Sequence, residues 1–269
     1  MGPRPPRRCR TDGDSTVTDS TDRYRAPALD KGLDILELLS EQPHGLTRAE
    51  IVKAMGRSPS EIYRMLERLV LRHYVTRSAE GDRYALSLKL FVLAHRHPPL
   101  DRLVARALPA MDAFAKGAEQ SCHLGIYDRG NIAIVAQVSS PARVVLSIRL
   151  GSRVSLVGTG SGHVLLAFQT PQRRAEMLAA HEVMDGEAPM APAKLERTLE
   201  AVRTQGYWQG DSLQSFGVVD ISMPVIGPGG SALGVLTCPY IRRIDRYVAP
   251  DIAATRLLLQ QQAGKLSLE

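Results

Sequence analysis

LTRAEIVKAMGRSPSEIYRMLERLVL, residues 46–71, holds two helix starts with a helix stop between them. Thr47 and Glu50 have the spacing of a capping box, in which hydroxyl and carboxylate each satisfy a backbone N–H left over at a helix start. Ser58 and Glu61 repeat it, with Pro59 at the first helical position, where a missing N–H is harmless. Gly56 stands where a helix closes in the left-handed conformation. Ile51, Val52 and Met55 give the first helix a buried side. Ile62, Met65, Leu66, Leu69 and Val70 recur at helical spacing and give the second one an apolar face. Two short capped helices joined by a tight turn around a glycine form a helix-turn-helix.

The flanks complete the unit. Leu29, Leu33, Leu36 and Leu39 recur at helical spacing upstream, and Pro43, His44 and Gly45 end that helix. Downstream, the β-prone runs 74–77 and 83–86 bracket the Gly81 loop as a hairpin. Three helices and a hairpin make a winged helix over 26–87. The second capped helix keeps Ser60, Glu61, Tyr63, Arg64, Glu67 and Arg68 off its apolar face. One buried side and one free side are what a helix entering a major groove about 12 Å wide requires. Arg64 and Arg68, one turn apart, can reach guanine edges or phosphates. Ser58, Ser60 and Tyr63 sit at the end where base edges are met, and the helix N-terminus itself attracts phosphate. Arg77 and Arg83 flank the wing loop, and Arg48 adds to the basic set. Between residues 46 and 96, ten Lys and Arg face five Asp and Glu, so the local excess of base favours DNA over a purely solvated face.

The 269 residues fit two domains, and 44% hydrophobic with 23% charged residues is a globular balance. No apolar run is long enough for a membrane helix, and the basic N-terminus has no apolar stretch of a secretory signal behind it. The net charge of +6 agrees with a polyanionic partner. Cys9, Cys122 and Cys238 are scattered, which indicates neither a zinc site nor a disulfide framework and fits the cytoplasm. Residues 1–25, nearly devoid of apolar side chains, read as a disordered tail with Arg4, Arg7, Arg8 and Arg10 in it. A helix from Leu88 to His95, broken by His97-Pro98-Pro99, makes 88–99 a linker helix.

The remainder, 100–269, alternates strands and helices. Runs 121–127 and 132–138 flank a turn. Val144, Leu146, Ile148 and Leu150 alternate with other residues as in a half-buried strand. Gly158-Thr159-Gly160-Ser161-Gly162 leads into a helix at 163–168. Further helices are expected near 171–181 and 192–205, a hairpin at 218–225 and 232–238, and a last helix from Asp245 to Gln262. An antiparallel sheet covered by helices is an α+β arrangement.

ALDKGLDIL at 28–36, the stretch 56–69, RYAL at 83–86, GSGH at 160–163, Gly206-Tyr207 and 217–224 occur in an order that resembles the IclR family of bacterial transcription regulators. The resemblance covers 26–265. It implies a winged helix joined to a GAF-like domain that binds a small effector, and a homodimer or homotetramer that the first helix helps to form. It also implies that Gly160 and Ser161 form the wall for an effector carboxylate, with Leu146, Val154, Val218, Asp220 and Thr237 as further pocket positions.

An aspartate in the run VVDI at 218–221 needs a partner. Asp220 accepts hydrogen bonds from hydroxyls or amines and repels an unshielded carboxylate. It therefore favours a hydroxylated, sugar or aromatic acid over glyoxylate or pyruvate, unless it pairs internally, for example with Arg149. Cys122 and His123 face opposite sides of a strand and cannot act as nucleophile and base on each other; one of them points into the pocket. His163 reads as a packed histidine rather than a metal ligand. Trp208 reads either as core or as part of a lid. No nucleophile elbow, Walker A or HExxH motif is present, and no cofactor, metal site or catalytic residue is indicated. The expected function is a ligand-controlled regulator on a pseudo-palindromic operator in double-stranded DNA, with no membrane partner. The alternative is an enzyme acting on a small carboxylate with a fused DNA-binding module.

Overall fold

A computed structural model describes residues 26–78, 82–94, 98–242 and 247–267. The tail expected over 1–25 lies outside the described residues, as do 79–81 of the wing loop, 95–97, and 243–246, where the last helix was expected to begin. The chain divides into two compact units, one through Arg96 and one from His97 onward.

In the first unit, α1 (Pro27–Ser40), α2 (Arg48–Met55) and α3 (Pro59–Leu71) pack with the strands β1 (Leu46–Thr47), β2 (Val75–Arg77) and β3 (Arg83–Leu86). Ile35, Leu39, Ile51, Ile62, Leu66, Val75 and Tyr84 form their common core. The two-residue strand β1 completes a three-stranded sheet in the order β1-β3-β2; two residues are too few to carry an alternation that sequence can show. Thr47 caps α2 and Glu50 reaches back to the Thr47 N–H at 2.7 Å. Gly56 closes α2 at φ +58. Glu61 reaches back to Ser58 N–H and hydroxyl at 3.4 and 3.0 Å. A short helix, α4 (Lys89–Ala94), follows the wing.

The second unit opens with α5 (Pro98–Ala118). Pro98 and Pro99 fall in its first turn, where helix N–H groups have no intrahelical acceptor anyway. The strands β4 (Cys122–Asp128), β5 (Asn131–Val138), β6 (Arg153–Val154), β7 (Trp208–Asp211), β8 (Val218–Ile226) and β9 (Ala232–Ile241) form one antiparallel sheet, ordered β6-β5-β4-β9-β8-β7. One face packs on α5 and α9 (Ile252–Leu266) through Met111, Phe114, Leu124, Ile221, Leu236 and Leu259. The other carries α6 (Gly160–Ala167), with α7 (Pro171–Ala179) and α8 (Pro192–Gln205) beyond it, through Ile132, Leu156, Leu165, Met177, Leu199 and Val235.

Three expectations are corrected. The alternating stretch 144–150 is not a strand. Val144 and Leu150 are exposed while Leu146 and Ile148 are half-buried. The segment has a packed side but no ladder, because β6 and Ser152 take the free edge of β5. Trp208 lies in a paired edge strand, opposite Ser222, and packs against the core, so the lid reading is set aside. The last helix starts at Ile252, where the Asp251 side chain accepts from the Ala254 N–H at 2.8 Å; the cap, not Asp245, sets the start.

Candidate DNA interface and effector cavity

α3 buries Ile62 and Leu66 completely and leaves Ser58, Ser60, Tyr63, Arg64 and Arg68 exposed. Glu61 does not join that polar face. It is ion-paired to Lys31 of α1 at 2.6 Å. That hydrogen bond, with those from Ser58, holds its carboxyl down at about 2. The acid nearest the tip of α3 is thus neutralised from within the unit. Arg48 lies over the Tyr63 ring at 5.6 Å and Arg77 over Tyr84 at 5.7 Å, which stacks two guanidinium groups beside the same surface. Arg83 is engaged elsewhere: it donates to the Gly45 carbonyl at 3.0 Å and lies 3.8 Å from Glu50.

In the second unit the glycines expected to precede a helix form its first turn. Thr159 caps α6, its hydroxyl accepting from Gly162 N–H at 3.1 Å and donating to Ser155 O at 2.7 Å. A Cβ on Gly160 would lie 2.1 Å from Trp208 Cδ1, and one on Gly162 would lie 1.9 Å from Leu156 O. Close approach, of the indole at one glycine and of backbone at the other, is why this turn lacks side chains. His163 is fully buried, its Nε2 2.8 Å from Val157 O and its ring edge-on to Trp208 at 4.9 Å. Its role is packing. Burial lowers its pKa, which keeps it neutral.

A cavity of about 60 Å³ opens between the α6 turn and the sheet. Leu146, Val154, Ser161, Val218, Asp220 and Thr237 line it together, although up to 91 positions separate them in sequence. Gly160 is not in the lining; it faces Trp208. Sequence reasoning left open whether Cys122 or His123 faces the pocket, and it did not assign Ile148, Thr159, Ser212, Gln214, Ser215 or Pro239 to the wall. His123 was within reach, since strand alternation leaves it opposite Cys122, but choosing between the two required the pairing His123↔Thr237. Cys122 faces α5, where its thiol approaches Met111 O at 3.6 Å and burial pushes it up to about 12. The thiol is inert.

Within the cavity, burial raises the Asp220 carboxyl, partly offset by a hydrogen bond from Ser212. Arg149 is exposed and, among the described residues, is not a charge partner of Asp220, so the internal Arg149 partner is not made. Burial lowers His123 to about 4, which leaves a neutral imidazole. Among the described residues, no lysine or arginine lines the cavity.

Residues 28–79 match the IclR helix-turn-helix domain, and residues 100–265 match the family described as bacterial transcriptional regulator IclR C-terminal. Among curated proteins, the chain is 28% identical over 240 residues to the HTH-type transcriptional regulator KdgR of Escherichia coli, covering 86% of this chain and 90% of that one. It is 25% identical over 244 residues to the regulator XynR of the same organism, covering 89% and 95%. Among solved structures, Thermotoga maritima IclR superposes with a TM-score of 0.71 at 22% identity, covering 88% of this chain and 96% of that one. An IclR homolog from Microbacterium hydrocarbonoxydans, complexed with 4-hydroxybenzoate, gives 0.71 at 20% identity over 89% and 97%.

Proposed function

The chain belongs to the IclR family of bacterial transcriptional regulators, and from that membership we propose how its two units divide the work. The winged helix, taken as 26–87, reads DNA. Arg64 and Arg68 project from α3 toward base edges or phosphates, with Ser58, Ser60 and Tyr63 at its N-terminal end and Arg48, Arg77 and Arg83 around it. The segment 88–99 links this unit to the effector domain at 100–269. A homodimer, or a homotetramer built from dimers, sets two α3 helices on a pseudo-palindromic operator one turn of about 34 Å apart or a multiple of it.

The effector domain binds a small organic acid and does no chemistry on it. The observation that carries this reading is the cavity itself, which has two unlike ends. At one end the N-terminal turn of α6 presents Ser161, and helix N–H groups there favour a carboxylate. At the other end Asp220 accepts from a hydroxyl. Leu146, Val154 and Val218 cover the carbon skeleton, and Thr237 lies between the ends. The 4-hydroxybenzoate complex of the Microbacterium homolog supports a hydroxylated acid as the kind of molecule held. Ligand occupancy shifts the population of DNA-binding arrangements by no more than its differential affinity for them.

A thermal-shift screen against small organic acids tests this. A ligand at about 100 times its Kd stabilises the fold by about 2.7 kcal/mol. The reading expects a hit that weakens in Asp220→Asn and alters DNA affinity. Steady turnover of a hit would instead identify an enzyme.

A further inference from the structure

The sheet-side wall of the cavity has its hydrogen-bond polarity set from inside the protein. The Thr237 hydroxyl donates to Ser222 Oγ at 2.9 Å. A hydroxyl has one proton, so in the 2.8 Å contact between Ser161 Oγ and Thr237 Oγ1 the donor is Ser161. The chain runs one way, Ser161 to Thr237 to Ser222. The Ser161 hydroxyl therefore meets the cavity with lone pairs only, and a ligand carboxylate is left to the backbone N–H groups of the turn. Asp220 lines the cavity beside Ser212 and presents carboxyl lone pairs to it.

His123 strengthens the case that this wall is built to hold something. It is 5% exposed, lines the cavity, and stands beside Thr237 on the same face of the sheet. It has no hydrogen-bond partner among the described residues. A buried polar ring without a partner is costly unless a ligand or water completes it.

The two acceptors stand at separate points of the wall. Asp220 pairs with Pro239, two residues along β9 from the Thr237 that holds Ser161. Thr237 and Pro239 are thus about 7 Å apart along β9, so the side chains beside them do not share one hydroxyl. A single phenolic hydroxyl reaches one acceptor, whereas hydroxyls on successive carbons of a chain reach both.

We infer that this wall selects a polyhydroxylated acid: one hydroxyl donates to Asp220, another to Ser161, and His123 makes a third polar contact. The inference rests on the reading of the cavity as the effector site. It assigns specificity to the direction of a buried hydroxyl chain and to His123.

Calorimetric titration of the full chain with D-glycerate, D-threonate, D-gluconate and 4-hydroxybenzoate tests it. At least one polyhydroxylated acid is expected to bind about tenfold tighter than 4-hydroxybenzoate, the worth of one added hydrogen bond to a charged or buried acceptor. Thr237→Val returns the Ser161 proton to the cavity and is expected to lower that preference about tenfold, with Thr237→Ser restoring it. Should Thr237→Val not fold, Ser222→Ala removes the acceptor at the chain's end and is expected to erode the same preference. Equal or tighter binding of 4-hydroxybenzoate, or a preference unchanged in these variants, overturns the inference and leaves the effector site standing. If none of the acids binds to protein that still binds DNA, the organic-acid effector reading falls and takes this inference with it.

Discussion

Helices α3 and α6 both begin after a hydroxyl residue, Ser58 and Thr159, with first-turn N–H groups that have no intrahelical acceptor, yet they differ in what can approach them. The start of α3 is in solvent: Ser58, Pro59 and Ser60 are exposed, and two arginines follow on the same face. The start of α6 is enclosed: every residue from Gly160 to Ala167 is buried, and Thr159 and Ser161 meet a cavity. On the proposed reading, the same partial positive charge is offered to a long polyanion in one case and to a small carboxylate in the other. Access, not the electrostatics of the turn, makes the difference. It follows that α3 tolerates change around its first turn while α6 does not.

Two glycine substitutions put the largest strain on that contrast. Gly162→Ala places a methyl against the Leu156 carbonyl oxygen, 1.9 Å away, and is expected to destabilise the second unit by about 3 kcal/mol. Unfolding followed by Trp208, the chain's single tryptophan, reads it. Gly56→Ala in the turn before α3 meets open space and carries only the penalty of a left-handed φ, about 1 kcal/mol. Similar losses at the two glycines would erase the distinction. Arg64→Ala is expected to weaken specific DNA binding by about 2 kcal/mol, some 30-fold, without moving the melting temperature. Loss of fold together with binding would mean that α3 is not a free surface.

The two carboxylates near these helix starts should respond to pH in opposite senses. Glu61 is held down at about 2 from an ordinary 4.5. Its contribution is present above pH 4.5 and is lost as pH falls through about 2. Lys31→Met is expected to lower amide-exchange protection in α1 and α3 at pH 7, with the deficit shrinking below pH 4. Asp220 is raised by burial, so its charged form opposes folding above its folded pKa and that penalty fades as pH falls below it. Asp220→Asn is expected to raise the ligand-free melting temperature slightly at pH 7 and not at low pH, while losing the ligand response. A variant that melts lower at pH 7 would show that Asp220 is a structural partner instead.

The first unit was largely legible because its signals are local. Thr47 with Glu50, Ser58 with Glu61, and Gly56 between them are read within a few residues, and the helix faces follow from spacing. What escaped was long-range: Lys31 reaching Glu61 across thirty positions, and β1 pairing with β3. In the second unit the elements were mostly found, but the site is an assembly of segments whose meeting depends on strand register. Alternation could say that Cys122 and His123 diverge; only the β4–β9 pairing sends His123 to the cavity. Alternation also mistook 144–150 for a strand, since a segment with one packed side shows the same pattern with or without a ladder. Gly160 had the right neighbourhood for a binding wall, and its real constraint is the indole of Trp208.

The most direct test of the account is an anisotropy titration of the full-length protein on an operator fragment recovered by selection from random DNA. It would be run with and without the acid that most stabilises the fold, in wild type and Asp220→Asn. The account predicts salt-dependent binding whose affinity shifts when the acid is added, and a shift that disappears in Asp220→Asn while DNA binding itself persists. Operator affinity indifferent to an acid that demonstrably fills the cavity would contradict it.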